Sequence, residues 1–185
     1  MTQVQDKLMT AEELFNLADD GRNYELIEGI LIEMAPPGGE HGVVPTNATA
    51  LLAPYLKRTK AGLLVTETGF LVQRNPDVVR SADLAFVSRA SLEQEPLHPK
   101  YRVTPPDLAV EVVSPNDLPK DVRGKVTEWL AAGSREVWVF VPKTIILTKY
   151  QPGGVHQRYE AQDTLTSDLF PGWRCTVEEL LTYLS

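Results

Sequence analysis

Two carboxylates stand inside segments that are otherwise apolar. Glu111 lies in the middle of residues 108–113, Leu-Ala-Val-Glu-Val-Val, a run typical of a strand that is covered on both faces. Asp83 interrupts a second run, Ser-Ala-Asp-Leu-Ala-Phe-Val. An ionised carboxylate in such surroundings is costly unless it is paired or binds a metal ion. If the two strands are neighbours about 4.8 Å apart, the two acids predict a divalent-cation site between them.

A lysine on the helix predicted after the Glu111 strand is the third candidate. At 100° per residue, Lys125 lies at the border of the apolar face that contains Val126 and Trp129. Either its ammonium leans toward the edge of the sheet, or its stem covers Trp129 while the ammonium stays in water.

Asp107 is a weaker candidate, because it lies about 13 Å from Glu111 along an extended strand and cannot share its ion. We interpret Asp107 as a strand-entry residue.

The elements that position these residues are predicted from periodicity and turn signals. Helices are predicted over residues 10–18, 44–55 and 119–132 and from Thr176 onward, with Pro54 expected to end or kink the second. Strands are predicted as a hairpin in residues 24–34 and at residues 63–73, 82–87, 108–113, 136–141, 145–150 and 157–160. We therefore expect one α/β (α+β) domain over residues 1–185, with a core from about 10 to 183: a mixed sheet flanked by helices.

Composition limits the class of protein. The 185 residues include 18 Lys+Arg and 25 Asp+Glu, a formal net charge of −7, which argues against a simple nucleic-acid coat but not against an enzyme with a local basic rim. The single cysteine excludes an intramolecular disulfide and a cysteine-rich zinc site. No apolar run approaches the ~18 residues of a membrane span, and the first residues lack the apolar core of a signal peptide. We expect a cytoplasmic protein.

The order of the motifs resembles one known family. The residues that carry the resemblance are Tyr24-Glu-Leu-Ile-Glu-Gly29, Glu40-His41, Asp83-Leu-Ala-Phe, Pro106-Asp-Leu-Ala-Val-Glu-Val-Val-Ser-Pro115, Lys125, Ala132-Gly133 and Glu136-Val-Trp138. Over about residues 10–183 the chain resembles the Uma2 family of restriction-endonuclease-like proteins, which is abundant in cyanobacteria. That family is placed in the PD-(D/E)XK nuclease superfamily, so the resemblance implies a restriction-endonuclease-like mixed sheet with flanking helices.

The resemblance also implies roles for the three candidates. Asp83 matches the aspartate of the first motif, although Ala82 stands where a proline usually precedes it, and Glu111 matches the acid of the second motif. The standard pattern has a lysine two residues after that acid, where this chain has Val113. The family supplies the lysine from the next helix, which matches Lys125. Asp83 and Glu111 are then expected to bind Mg²⁺ or Mn²⁺, and Lys125 to assist the attacking water or the transition state.

Two further positions match family signatures with less defined roles. Glu28, in the early hairpin, is a candidate third carboxylate for the metal ion, and His41 is a candidate ligand for metal or phosphate. The structural alternative for His41 is capping and packing. Phosphate contacts are expected from the basic residues around the Asp83 strand, or else these residues form a solvated loop surface: Arg74, Arg80, Arg89, Lys100 and Arg102.

The expected function is a metal-dependent endonuclease, a hydrolase acting on DNA as a homodimer. The alternative is a non-catalytic module for DNA binding or protein interaction that retains the nuclease fold. Other chemistries lack their motifs: the chain has no Walker-type Gly-Lys-Ser/Thr loop, no His-Glu-x-x-His and no Gly-x-Ser-x-Gly.

Overall fold

The structure, a computed structural model, describes residues 8–18, 20–36 and 38–182. In these ranges the α-helices are α1 (Ala11–Phe15), α2 (Gly39–Thr59), α3 (Arg89–Gln94) and α4 (Pro119–Ala132). The strands are β1 (Asn23–Ile27), β2 (Ile30–Met34), β3 (Gly62–Val65), β4 (Gly69–Gln73), β5 (Val78–Ser81), β6 (Leu84–Ser88), β7 (Leu108–Val112), β8 (Glu136–Val141), β9 (Ile146–Gln151), β10 (Val155–Tyr159), β11 (Thr164–Thr166) and β12 (Arg174–Thr176).

A six-stranded mixed sheet forms the centre, in the order β10-β9-β8-β7-β6-β3. β7 and β8 are parallel and joined through α4, whereas the other neighbours are antiparallel. Leu52 of α2 belongs to one cluster of buried strand and helix residues, and Trp129 of α4 belongs to a second, separate cluster. Because both faces are covered, all five residues of β7 are buried. The predicted mixed sheet flanked by helices is confirmed.

A second, four-stranded antiparallel sheet has the order β2-β1-β5-β4 and was not predicted. The single strand predicted over residues 63–73 is wrong, because the chain leaves the six-stranded sheet after β3 and enters the four-stranded sheet as β4. Glu67 lies between them with φ +50°, a left-handed conformation that ends the extended run. The chain between residues 63 and 73 therefore supplies one strand to each of the two sheets.

The helices match the prediction best where capping residues define their ends. α1 begins at the predicted Thr10 capping box but ends at Phe15, short of residue 18. α4 is followed by Gly133 in a left-handed conformation at φ +116°. The expectation that Pro54 ends or kinks the second helix is wrong, because α2 continues through it to Thr59. Pro54 lies on the exposed face, where water can satisfy the carbonyl that the missing N–H would have bonded.

The helix predicted from Thr176 onward is also wrong within the described residues, which end at Thr182. Thr176 ends β12, and its backbone N–H and hydroxyl both donate to Glu179, but only a 3₁₀ turn over Glu178–Leu180 follows. The side-chain amide of Asn47 donates to the carbonyls of Leu180 and Thr182, so α2 binds carbonyl oxygens that a longer helix would use itself.

Candidate active site

The pairing of β6 with β7 brings the two predicted carboxylates together. Leu84 is opposite Val110 in this antiparallel pair, so Asp83, one residue before β6, comes opposite Glu111. Asp83 Oδ2 also accepts a hydrogen bond from the backbone N–H of Val112 at 2.7 Å, which fixes the carboxylate against β7. The neighbouring-strand arrangement required for a shared cation site is therefore present.

Glu111 is buried, with 5% of its surface exposed, and two side chains of α4 hold its carboxylate. Lys125 Nζ donates to Oε2 at 3.0 Å, and Trp129 Nε1 donates to Oε1 at 2.7 Å. The lysine and the tryptophan are four residues apart, so they lie one turn apart on the helix face that covers β7. Of the two predicted positions for Lys125, the structure has the one that leans toward the sheet.

The charges of this group depend on burial and on one another. Burial raises the pKa of Glu111 to about 7, and the negative charge of Asp83 acts in the same direction against the stabilising Lys125 and Trp129. Burial alone would lower the pKa of Lys125, but the negative charges of Glu111 and Glu25 outweigh it and raise that pKa. The neighbouring carboxylates therefore favour the charged form of Lys125.

His41, at the start of α2, contacts the Asp83 carboxylate. Its Nε2 lies 3.3 Å from Asp83 Oδ2, and the ring is largely buried. The hydrogen bond with Asp83 raises the pKa of His41 against the opposing effect of burial, and the charge of Asp117 adds to the increase. The histidine thus belongs to the group formed by Asp83, Glu111 and Lys125.

Glu28 and Asp107 lie elsewhere. Glu28 occupies the exposed turn between β1 and β2, with φ +50°, so the structure does not bring it to the other candidates. Asp107 directly precedes β7, as expected of a strand-entry residue. Its Oδ2 accepts from the backbone N–H of Ser88 and from the hydroxyl of Ser91, both at 2.8 Å, and so supports the start of α3.

A buried ion-pair network beside Lys125 was missed in the sequence. Arg80 Nη1 donates to Glu25 at 2.6 Å, and its Nε donates to Glu128 of α4 at 2.6 Å. Glu25 is 3% exposed and also accepts from the backbone N–H of Ser81. The available signal was the same as for Glu111: Glu25 interrupts an apolar strand, whereas Glu28 was the candidate because it matches a signature of the Uma2 family.

The other basic residues near the Asp83 strand have mainly structural contacts. Arg102 is fully buried and donates to the backbone carbonyl of Glu95 at 2.8 Å. Arg74 pairs with Glu12 and Asp77, and Arg89 pairs with Glu93. The alternative of a uniformly solvated basic surface is wrong for Arg80 and Arg102, because both are buried.

The donor set determines which cation the site suits. Across the residues the structure describes, no three His, Cys, Asp or Glu side chains converge into a ready metal-binding group. Asp83 and Glu111 offer carboxylate oxygens, the ligand type that Mg²⁺ and Mn²⁺ prefer. Asp83 raises the pKa of Glu111, and this repulsion between the two carboxylates is the kind that a divalent cation relieves. The oxygen ligands and the negative charge of Asp83 and Glu111 therefore fit Mg²⁺ or Mn²⁺.

Comparison with known proteins gives the family. Residues 11–178 match the family model of Uma2, described as a putative restriction endonuclease. The chain belongs to the Uma2 family. Uma2 membership and the fold together indicate a restriction-endonuclease-like nuclease. No curated protein matches the chain. Among the helices of the described ranges, none is long and apolar enough to cross a membrane.

Solved structures resemble this Uma2 chain in fold. Five chains match. One is the crystal structure of a putative nuclease belonging to DUF820 from Anabaena variabilis, which superimposes with a TM-score of 0.80 at 16% sequence identity. The match covers 94% of this chain and 97% of that one. At this identity the likeness shows the shared fold.

Proposed function

We propose that this chain is a metal-dependent endonuclease that hydrolyses phosphodiester bonds in DNA. The observation that supports this most is the buried Glu111 carboxylate, which lies opposite Asp83 and within hydrogen-bond distance of Lys125. Two acids and a lysine from neighbouring elements are the groups that the Uma2 resemblance implies for catalysis. Their proximity, together with the nuclease family, makes phosphodiester hydrolysis the best-supported chemistry.

Asp83 and Glu111 are the proposed ligands for Mg²⁺ or Mn²⁺. An ionised carboxylate has about four lone-pair positions, so the bonds from Lys125 and Trp129 leave Glu111 with acceptor capacity. Held by these two residues, Mg²⁺ or Mn²⁺ would supply Lewis-acid chemistry, namely polarisation of the phosphate and a lowered pKa of a water molecule. His41 orients Asp83 through their contact, and Trp129 holds Glu111 in one rotamer.

Lys125 is proposed to stabilise charge and not to remove a proton. Because its pKa is raised, it carries a positive charge throughout the physiological range. A fixed ammonium beside the reacting phosphate stabilises the negative charge that develops in the transition state. We expect a cytoplasmic protein that works as a homodimer. The dimer is expected because a single compact domain that cuts both strands of DNA often acts as a pair.

A second candidate function is a non-catalytic DNA-binding or protein-interaction module. The observation that favours it is that Lys125 and Trp129 each donate a hydrogen bond to a different oxygen of Glu111, as in a structural network. In that case the buried acids and their partners form a structural network. If the chain is a nuclease, replacing these residues should reduce cleavage. If it is a binding module, replacing them should change only the stability of the fold.

The test measures DNA binding and cleavage separately for the wild type, Asp83→Asn, Glu111→Gln and the matched control Glu93→Gln. Glu93 is an exposed acid that pairs with Arg89, so its amide variant changes charge without touching the site. With Mg²⁺ or Mn²⁺ we expect the wild type and Glu93→Gln to cut plasmid or single-stranded circular DNA, and the two site variants to lose at least about 100-fold in rate. If neither the wild type nor any variant cleaves DNA in the presence of metal, and all of them bind DNA with the same affinity, the result would support the binding module instead.

A further inference from the structure

A cavity next to the candidate active site has no role in the chemistry described above. It has a volume of about 460 Å³ and lies between α1, strands of the four-stranded sheet, and Lys125. This volume falls within the range of about 300–1,000 Å³ that is typical of small-ligand pockets. Lys125 lines the cavity, and its ammonium bonds Glu111, so the cavity borders the proposed reaction centre.

The charges around the cavity are balanced. Each of the three cationic side chains in its lining, Arg22, Arg80 and Lys125, lies within 3.0 Å of a carboxylate. Asp20 and Glu67 add negative charge to the same lining. A phosphate group entering the cavity would therefore meet carboxylates along with cations that are already paired. The electrostatics favour a neutral group instead.

The remaining lining is aromatic, apolar and neutral polar. Phe15 and Leu17 are 38% and 40% exposed, so apolar surface faces the opening. The rings of Phe15 and Tyr101 meet edge to face, with centroids 5.7 Å apart. Asn23 and Ser81 supply hydrogen-bonding groups. Aromatic rings with a few polar groups bind flat, neutral heterocycles, and stacking of one nucleobase on an aromatic ring contributes about 1–3 kcal/mol.

We propose that this cavity binds an unpaired nucleobase of the DNA strand whose phosphate occupies the proposed Asp83–Glu111 site. This inference rests on the proposed nuclease function and specifies its substrate: single-stranded DNA, or duplex DNA with a locally unpaired base. A base within a regular duplex is stacked and paired, and moving it into a pocket costs a few kcal/mol. An unpaired base enters without that cost, so the cavity selects for it.

The experiment uses three short DNA probes in EDTA, so that binding is measured without cleavage. One duplex carries a single bulged 2-aminopurine, the second carries an abasic nucleotide at the same bulge, and the third is fully paired. Ala35→Trp fills the cavity from an exposed loop position that lines it. The matched control is Ala90→Trp, also an exposed alanine, on α3. Phe15→Ala removes a ring from the cavity instead of filling it.

We expect the wild type and Ala90→Trp to bind the base bulge about tenfold more tightly than the abasic bulge, with a change in 2-aminopurine fluorescence. Ala35→Trp and Phe15→Ala should lose most of that difference while keeping the affinity for the paired duplex. Equal affinity of the wild type for both bulges, or a difference that persists in Ala35→Trp and Phe15→Ala, overturns the proposal. Because no cleavage is required, plasmid nicking reports separately on the nuclease function.

Discussion

Replacement of Arg80 by methionine removes a buried positive charge that pairs with the buried Glu25 and the partly buried Glu128. The guanidinium is 8% exposed and lies 2.6 Å from both Glu25 and Glu128. Methionine fills part of the vacated volume but leaves the two carboxylates without their common partner. Glu128 lies on α4 three residues from Lys125, so the same change loosens the attachment of the helix that carries the proposed catalytic lysine.

The magnitude follows from burial. Removing one member of a buried ion pair costs about 3–5 kcal/mol, because the remaining charge stays desolvated. Arg89 and Glu93 provide a matched exposed pair, with an N–O distance of 3.0 Å and side chains 71% and 67% exposed. Exposed pairs contribute about 0–1 kcal/mol. At about 2–4 °C per kcal/mol for a chain of this length, Arg80→Met should lower Tm by about 6–20 °C and Arg89→Met by at most about 4 °C.

The assay is thermal unfolding at pH 7, followed by circular dichroism, which gives Tm for each variant. Raising the salt concentration should weaken the exposed pair further and leave the cost of Arg80→Met nearly unchanged, because buried charges are poorly screened. Adding Glu25→Gln to Arg80→Met should recover part of the lost stability by removing one unpaired charge. If Arg80→Met and Arg89→Met destabilise the protein equally, the burial argument is refuted.

Two further predictions concern carboxylates that accept several hydrogen bonds. Trp129→Phe removes the N–H that donates to Glu111 at 2.7 Å, so we expect a loss of about 1.5–3 kcal/mol in denaturant unfolding at pH 8, and an unchanged midpoint would contradict the account. Burial raises the pKa of Glu95, but hydrogen bonds from His98 and from the backbone N–H of Thr104 outweigh it and lower the pKa from 4.5 to about 2. Because the folded-state pKa is lowered, the stabilisation is complete above about pH 4.5 and is lost as the pH falls toward 2. Glu95→Gln should therefore cost about 1–2 kcal/mol at pH 7 and progressively less in acid, and a difference that does not depend on pH would show that the reasoning is wrong.

The sequence predicts most elements of the fold because their signals are local. The capping box at Thr10 and the left-handed Gly133 define helix ends, and the fully apolar run around Glu111 defines the central strand. Residues 63–73 divide at Thr66-Glu67-Thr68-Gly69, a polar turn signal between two apolar halves, but which sheet each half joins depends on tertiary pairing. The continuation of α2 through Pro54 depends on the packing of its opposite face, which the proline does not touch.

The candidate site, like the fold, can be predicted where its signals are local. Glu111 and Asp83 stand out because a charged residue in a buried strand requires a partner, and Lys125 follows from the helical periodicity. Their roles in catalysis stay predictions. The importance of Glu25 depends on Arg80, which comes from a strand 55 positions later in the chain. Long-range ion pairs of this kind require the three-dimensional arrangement, so the sequence indicates that Glu25 needs a partner but not that Arg80 supplies it.

The most direct test of the central claim is the initial rate at which supercoiled plasmid is nicked by the wild type and by Glu111→Gln, purified identically. We expect nicking by the wild type in Mg²⁺ or Mn²⁺, no nicking in EDTA, and a loss of at least about 100-fold in Glu111→Gln. Equal metal-dependent rates for the two proteins would contradict the central claim, because the activity would then come from somewhere other than the Asp83–Glu111 site.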